Sequence, residues 1–234
     1  MSNILIQYMK DRFTMDTSPS VVKSAGSGPV VTISRAYGCP AKRIAGMLSS
    51  ALNRVELENY SKSRWAWIGK EILDESAREL NLQTTMIREA ANKDMSSVVD
   101  DIVLSLSHRY YPGDRKIKKT IGTVIRDFAE QGHVIIVGRG GVSIARDIPN
   151  SLHIKIQAPI EWRINDVSKK QMISLADARK KIEHLDAQRH LIRDFFEGKK
   201  ADDSIFDVVY NYMTLAEEDI VASIIQIMES KDMI

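Results

Sequence analysis

The stretch Val30-Val31-Thr32-Ile33-Ser34-Arg35-Ala36-Tyr37-Gly38-Cys39-Pro40-Ala41-Lys42-Arg43-Ile44 decides the reading of the fold. Val30 to Ile33 is a short β-branched run of the kind that forms a buried strand. Gly38 and Pro40 mark a tight turn, and an apolar-periodic helix is predicted over 42–53. Strand, tight loop and helix N-terminus make a generic phosphate site, because loop N–H groups and the helix dipole both favour an anion. Arg35, Lys42 and Arg43 add side-chain charge there. The strict pattern for such a loop, G-x-x-x-x-G-K-[ST], is not met. Gly38 alone remains of its glycines, Pro40 has no N–H to give, Ala41 resists a positive φ, and Arg43 stands where a metal-ligating hydroxyl belongs. The residues alone leave two readings open: a phosphate loop, or an ordinary strand-to-helix turn with surface cations. Cys39 is either a thiol with a pKa lowered by the helix start or a passive small residue in the turn.

Outward from this stretch, further β-branched runs lie at 134–137, 152–156 and 206–210, with Arg64 to Ile68 as a fifth candidate. Helical patterns lie between them at 70–80, 94–107, 117–131, 159–170 and 174–197, and a last one follows at 214–229. Strands alternating with helices predict an α/β fold with a mostly parallel sheet covered on both faces. Ligands of such sheets bind beyond the carboxyl ends of the strands. Ahead of the first strand, residues 3–14 read as an amphipathic helix and 16–29 as a linker, so 1–29 is predicted to be an arm.

Composition narrows the function classes. With 44% hydrophobic and 27% charged residues, the chain has the balance of a globular domain with a substantial core. A net charge of +2 disfavours a general nucleic-acid binder. The single cysteine excludes an internal disulfide framework and points to a reducing cytoplasm. No apolar run approaches the ~20 residues that cross a bilayer. Lys10, Asp11 and Arg12 interrupt the N-terminal apolar positions, unlike a signal peptide. The five histidines lack zinc-ligand spacing, and no metal-ligating residue is assigned.

A second candidate site follows the run at 134–137. Gly138-Arg139-Gly140-Gly141 lies at its carboxyl end, where an arginine would project into the crevice and glycines would let a ligand approach the backbone. Arginine clamps phosphate with a planar fork. The plainer alternative is a glycine-rich turn with one solvated arginine. His108 to Lys116, rich in aromatics and cations, reads either as a base-stacking loop or as a surface loop.

These pieces resemble the cytidylate kinase-like family. Val31 to Gly38 is similar to its ITISREYG opening, and VIIVGRGG at 134–141 to its second motif. Ile154 to Pro159 with Glu161 and Arg163 resembles its V-x-I-x-A-P-x-E-x-R segment. Ile173-Ser174, Ala178, Ile182, Asp186 and Arg189 follow its IS…A…I…D-x-x-R stretch, and Phe206 to Asn211 its YDLVIN strand. The chain departs from the family at Gly38-Cys39-Pro40-Ala41, where Gly-Ser-Gly-Gly is usual, and at Gly69, where an Asp is common.

The resemblance implies a P-loop NTPase-type three-layer fold over 30–234, with a helical monophosphate-binding insertion at 54–131 and a helical lid at 161–204. It implies phosphoryl transfer from ATP, with Mg²⁺, to a nucleoside monophosphate, CMP or dCMP, in the cytoplasm. Donor phosphates would lie on Ser34, Arg35, Tyr37, Gly38, Cys39, Ala41, Lys42 and Arg43. The acceptor would lie on Gly138, Arg139, Gly140, Asp186 and Arg189. Lys42, Arg43, Arg163, Arg189 and Arg193 would neutralise the moving phosphoryl group. Partners would be small-molecule nucleotides rather than nucleic acid or membrane, with a homodimer through the N-terminal helix as one expectation. The alternative is a kinase-fold protein that has lost the donor loop and acts as a nucleotide- or phosphate-binding regulatory module.

One stripe carries a sharper expectation. Asp186, Arg189 and Arg193 are spaced i, i+3, i+7, which puts them on one face of the helix predicted at 174–197. The face is either a solvated ion-pair surface or the working side of a lid, with Asp186 orienting Arg189.

Overall fold

The structure, a computed structural model, describes residues 28–58, 64–69 and 115–234. Residues 1–27 of the predicted arm, the helices predicted at 70–80 and 94–107, and residues 108–114 of the loop predicted at 108–116 lie outside the described residues. Strand β1 (Val30–Arg35) is the centre of a five-stranded parallel sheet. Its neighbours are β3 (Val134–Val137) on one side and β4 (Ser151–Gln157) on the other. Beyond β3 lies β2 (Ala66–Ile68), and beyond β4 lies β5 (Val208–Asn211), giving the order β2-β3-β1-β4-β5. The register pairs Val30 with both Val134 and Ser151, so the carboxyl ends of β1, β3 and β4 open onto one crevice. Strand β2 falls inside the interval 54–131 yet belongs to the sheet.

Alternation along β1 explains the three layers. Val31 and Ile33 face α1 (Ala41–Glu58) and α6 (Glu217–Ser230), whose Ile44, Leu48, Ile220 and Ile224 are wholly buried with them. The opposite face carries α2 (Arg115–Gln131), α3 (Gly141–Ile144) and α5 (Leu175–Glu197). Helix α4 (Ile160–Gln171) pairs with α5 as a hairpin, through Ile164 and Val167 against Ala178 and Ile182. This is the α/β three-layer class that the sequence predicts.

Helix α1 runs past its predicted end at 53 for a visible reason. The Asn53 side chain holds the main chain of Trp65, accepting its N–H at 2.7 Å and donating to its carbonyl at 2.9 Å. It docks the helix onto the entry to β2 rather than stopping it. Strand β5 starts two residues later than the run at 206–210 predicts, because a 3₁₀ turn at Asp203–Ile205 ends on Phe206. Asp207 then serves His153, accepting its N–H at 2.7 Å and donating its own N–H to the His153 carbonyl at 2.8 Å.

The sheet contains one buried polar chain. Ser151 spends its only proton on the Ile148 carbonyl, at 2.7 Å. It must therefore accept from His153 Nε2 at 3.1 Å, which leaves Nδ1 to accept from Thr32 at 2.8 Å. Burial pushes the His153 pKa down, which favours this neutral arrangement.

Candidate functional site

At the crevice, β1 delivers Ser34 and Arg35, the turn after β3 delivers Gly138, Arg139 and Gly140, and β4 delivers Lys155 and Gln157. Helix α4 adds Arg163, and α5 closes the space with Asp186, Arg189, His190 and Arg193. The cavity they enclose is about 230 Å³. Among the described residues, six Arg or Lys side chains line it, against the single carboxylate of Asp186.

The turn after β3 owes its shape to backbone conformations that most residues avoid. Gly138, Arg139 and Gly140 all have positive φ, at 74°, 58° and 73°. A Cβ on Gly140 would stand 2.5 Å from the Phe196 ring. Arg139 holds a left-handed conformation that costs an L-residue of order 1–3 kcal/mol, and such strain concentrates at ligand-binding turns. The Gly138 N–H anchors the turn to the Ile33 carbonyl of β1 at 3.0 Å.

Asp186 is the hub of the other wall. Its Oδ1 accepts from the Tyr37 N–H at 2.7 Å and from Arg189 at 3.2 Å, and its Oδ2 accepts from Arg163 at 2.7 Å. Arg163, buried, also donates to the carbonyls of Ala158 and Tyr37, at 3.0 and 3.1 Å. Arg189 donates to the Arg35 carbonyl at 3.2 Å and lies over the Tyr37 ring at 5.4 Å. Burial pulls the Arg189 pKa below its ordinary value, a cost that Asp186 offsets. Arg193 is held by the Ala201 carbonyl at 2.8 Å and by Asp203 at 3.4 Å.

A family model described as the cytidylate kinase-like family matches residues 30–213. The chain belongs to the cytidylate kinase-like family. Membership supports a nucleotide kinase-type function. A solved structure, an uncharacterized protein from Eubacterium ventriosum, shares the fold at 19% identity and a TM-score of 0.60, over 86% of this chain and 98% of that one. A shikimate kinase from Acinetobacter baumannii in complex with shikimate is 10% identical, covers 88% of this chain and 96% of its own, and scores 0.46. One from Bacteroides thetaiotaomicron is 11% identical, over 86% and 98%, and scores 0.45. At those scores the two shikimate kinases set neither fold nor substrate here. No curated protein sequence matches the chain.

For a member of this family, the predicted residues divide into three groups. Ser34, Arg35, Gly138, Arg139, Gly140, Arg163, Asp186, Arg189 and Arg193 line one cavity. Tyr37, Gly38 and Cys39 lie in the β1–α1 loop beside it and Ala41 is the first residue of α1, with α4 packed on the loop through Val167 and Arg163 against Gly38. Lys42 and Arg43 are outside the cavity, exposed on the first turn of α1, and the Arg43 fork grips the buried Glu217. Cys39 is the passive residue of the two readings: burial pushes its thiol up to about 11, so it stays protonated at neutral pH. The stripe on α5 faces the cavity beside Arg139 rather than open solvent.

Lys155, Gln157, His190 and Phe206 also line the cavity and were not singled out from the sequence as site residues. The signal for two of them was present. Leu152, Ile154 and Ile156 of β4 are fully buried, and the polar positions 155 and 157 alternate with them toward the crevice. The Lys155 ammonium reaches Asp203 at 2.5 Å and lies 5.8 Å from the Phe206 ring centroid.

Proposed function

We infer that this chain transfers a phosphoryl group from ATP to a nucleoside monophosphate, with cytidylate as the acceptor, in the cytoplasm. The observation that carries the reading is the convergence of six cationic side chains on one small cavity at the strand ends. Phosphoryl transfer asks for positioning and charge neutralisation rather than covalent chemistry from the protein. Arg139 would hold the acceptor phosphate from its glycine turn. Arg189, on a long helix over the crevice, would meet the charge that spreads over the transferring group. Arg163 would keep the loop in place beneath them. Asp186 orients arginines and is spent on three donors, which suits it poorly to act as a general base. The described residues offer Mg²⁺ no cluster of three His, Cys, Asp or Glu ligands, so a metal here would be held largely through the nucleotide's own phosphates.

A specific observation favours a second reading, a phosphate-binding regulatory module. Three N–H groups of the β1–α1 segment are already engaged within the protein. Tyr37 donates to Asp186, Cys39 to the Ala36 carbonyl at 3.2 Å and Ala41 to the Cys39 carbonyl at 3.0 Å, while Pro40 has none. ADP release measured with ATP, Mg²⁺ and a panel of nucleoside monophosphates separates the readings. Turnover with a pyrimidine monophosphate supports the kinase. Nucleotide binding without turnover for any acceptor supports the module.

A further inference from the structure

The Asp186 carboxylate has the surroundings of a bound ligand anion. One N–H of the β1–α1 loop, from Tyr37, and two guanidinium groups, from α4 and α5, converge on it at 2.7, 2.7 and 3.2 Å. A loop amide beside a helix start, joined by arginine forks, is the donor set that phosphoryl oxygens recruit. Each arginine also has anchors other than Asp186. Arg163 is anchored on the Ala158 and Tyr37 carbonyls, and Arg189 on the Arg35 carbonyl. The cradle would therefore persist if the carboxylate left. Asp186 keeps a path outward, since about a fifth of its side chain is exposed (19%). A carboxylate and a phosphoryl group cannot share the cradle, because like charges at contact distance repel.

We propose that Asp186 is a resident counter-anion in a phosphoryl subsite built from the Tyr37 N–H, Arg163 and Arg189, and that a phosphoryl group of the incoming ligand binds by displacing it. The proposal rests on the phosphate-binding reading of the cavity and adds that the protein's own charge competes for the subsite. Ligand affinity is then set by a competition inside the chain, and the Asp186 side chain must swing outward from the cradle on α5 when the ligand enters.

Calorimetric titration of inorganic pyrophosphate into wild type and Asp186→Asn tests this. Asparagine keeps an oxygen for the Tyr37 N–H but removes the competing charge. The expected result is binding about tenfold tighter in the variant, a gain that disappears in Asp186→Asn/Arg189→Ala. Equal or weaker binding by folded Asp186→Asn overturns the proposal while leaving the kinase reading intact. No pyrophosphate binding by either protein overturns the subsite, and the kinase reading then stands or falls on ADP release alone. If Asp186→Asn does not fold, wild type supplies the test through the ¹⁵N resonance of Tyr37. A large shift on pyrophosphate saturation shows its acceptor changing, and an unmoved amide overturns the displacement.

Discussion

Arg163→Met separates a structural clamp from a swinging catalytic arginine. Arg163 is 8% exposed and makes three hydrogen bonds, to Ala158, Tyr37 and Asp186, that tie β4, the β1–α1 loop and α5 to α4. Methionine keeps much of the volume and removes all three. Deleting one partner of a buried ion pair costs about 3–5 kcal/mol. That figure is discounted here, because Asp186 keeps the Tyr37 N–H and Arg189 and is partly hydrated, which leaves about 2–4 kcal/mol. With a urea m-value of about 2 kcal/mol/M, the unfolding midpoint should fall by about 1–2 M. Arg163→Lys should recover only part of this, since one ammonium cannot span three acceptors on separate elements. A midpoint within about 0.3 M of wild type for Arg163→Met would refute the clamp and return Arg163 to the mobile machinery.

Other outcomes follow from the same geometry. Arg189→Ala should lower turnover by roughly 10- to 1000-fold with little change in ground-state ATP affinity, checked by steady-state kinetics on a folded variant; unchanged turnover would make the α5 stripe mere surface. Gly140→Ala should destabilise by on the order of 1–3 kcal/mol through its φ of 73° and the Phe196 ring 2.5 Å from the new Cβ, read as a lower Tm. Stability should fall as pH drops below about 6.5, because the unfolded chain binds protons that buried His153 and half-buried His133 refuse until their own lowered pKa values are reached. Urea midpoints measured on either side of that pH check the sign, and His153→Gln should flatten the slope.

Much of this fold was legible because its strongest signals are local. The β-branched runs at 30–33 and 134–137 have no competing helical period, and both became central strands of the sheet. Helix α5 keeps its predicted bounds to within a residue, since the Ser174 side chain caps its start by accepting the Asp177 N–H at 3.1 Å and Gly198, with a φ of 71°, ends it. The i, i+3, i+7 stripe was legible for the same reason, since helical geometry fixes which residues share a face. Partners distant in the chain were not. Nothing local to Tyr37 says that its N–H would meet a carboxylate 149 residues away, and nothing near Arg43 points to Glu217. Lys42 and Arg43 were chosen for their place in a phosphate-loop pattern, whereas the structure gathers cations from β1, β4, α4 and α5 beside a covered loop. Lys155 shows a signal present but unused: a lysine between buried isoleucines on an inner strand calls for a polar destination, and only the sheet order identifies it as the crevice.

The claim on which everything else depends is that the cavity beside the Gly138-Arg139-Gly140 turn receives a nucleotide phosphate. Calorimetric titration of CMP into wild type and Arg139→Ala tests it most directly. The account predicts saturable binding to wild type and a loss of about 1.5–3 kcal/mol, roughly 10- to 150-fold, in a variant whose unfolding midpoint is little changed. Equal CMP affinity in the two folded proteins, or no CMP binding to wild type, would contradict it.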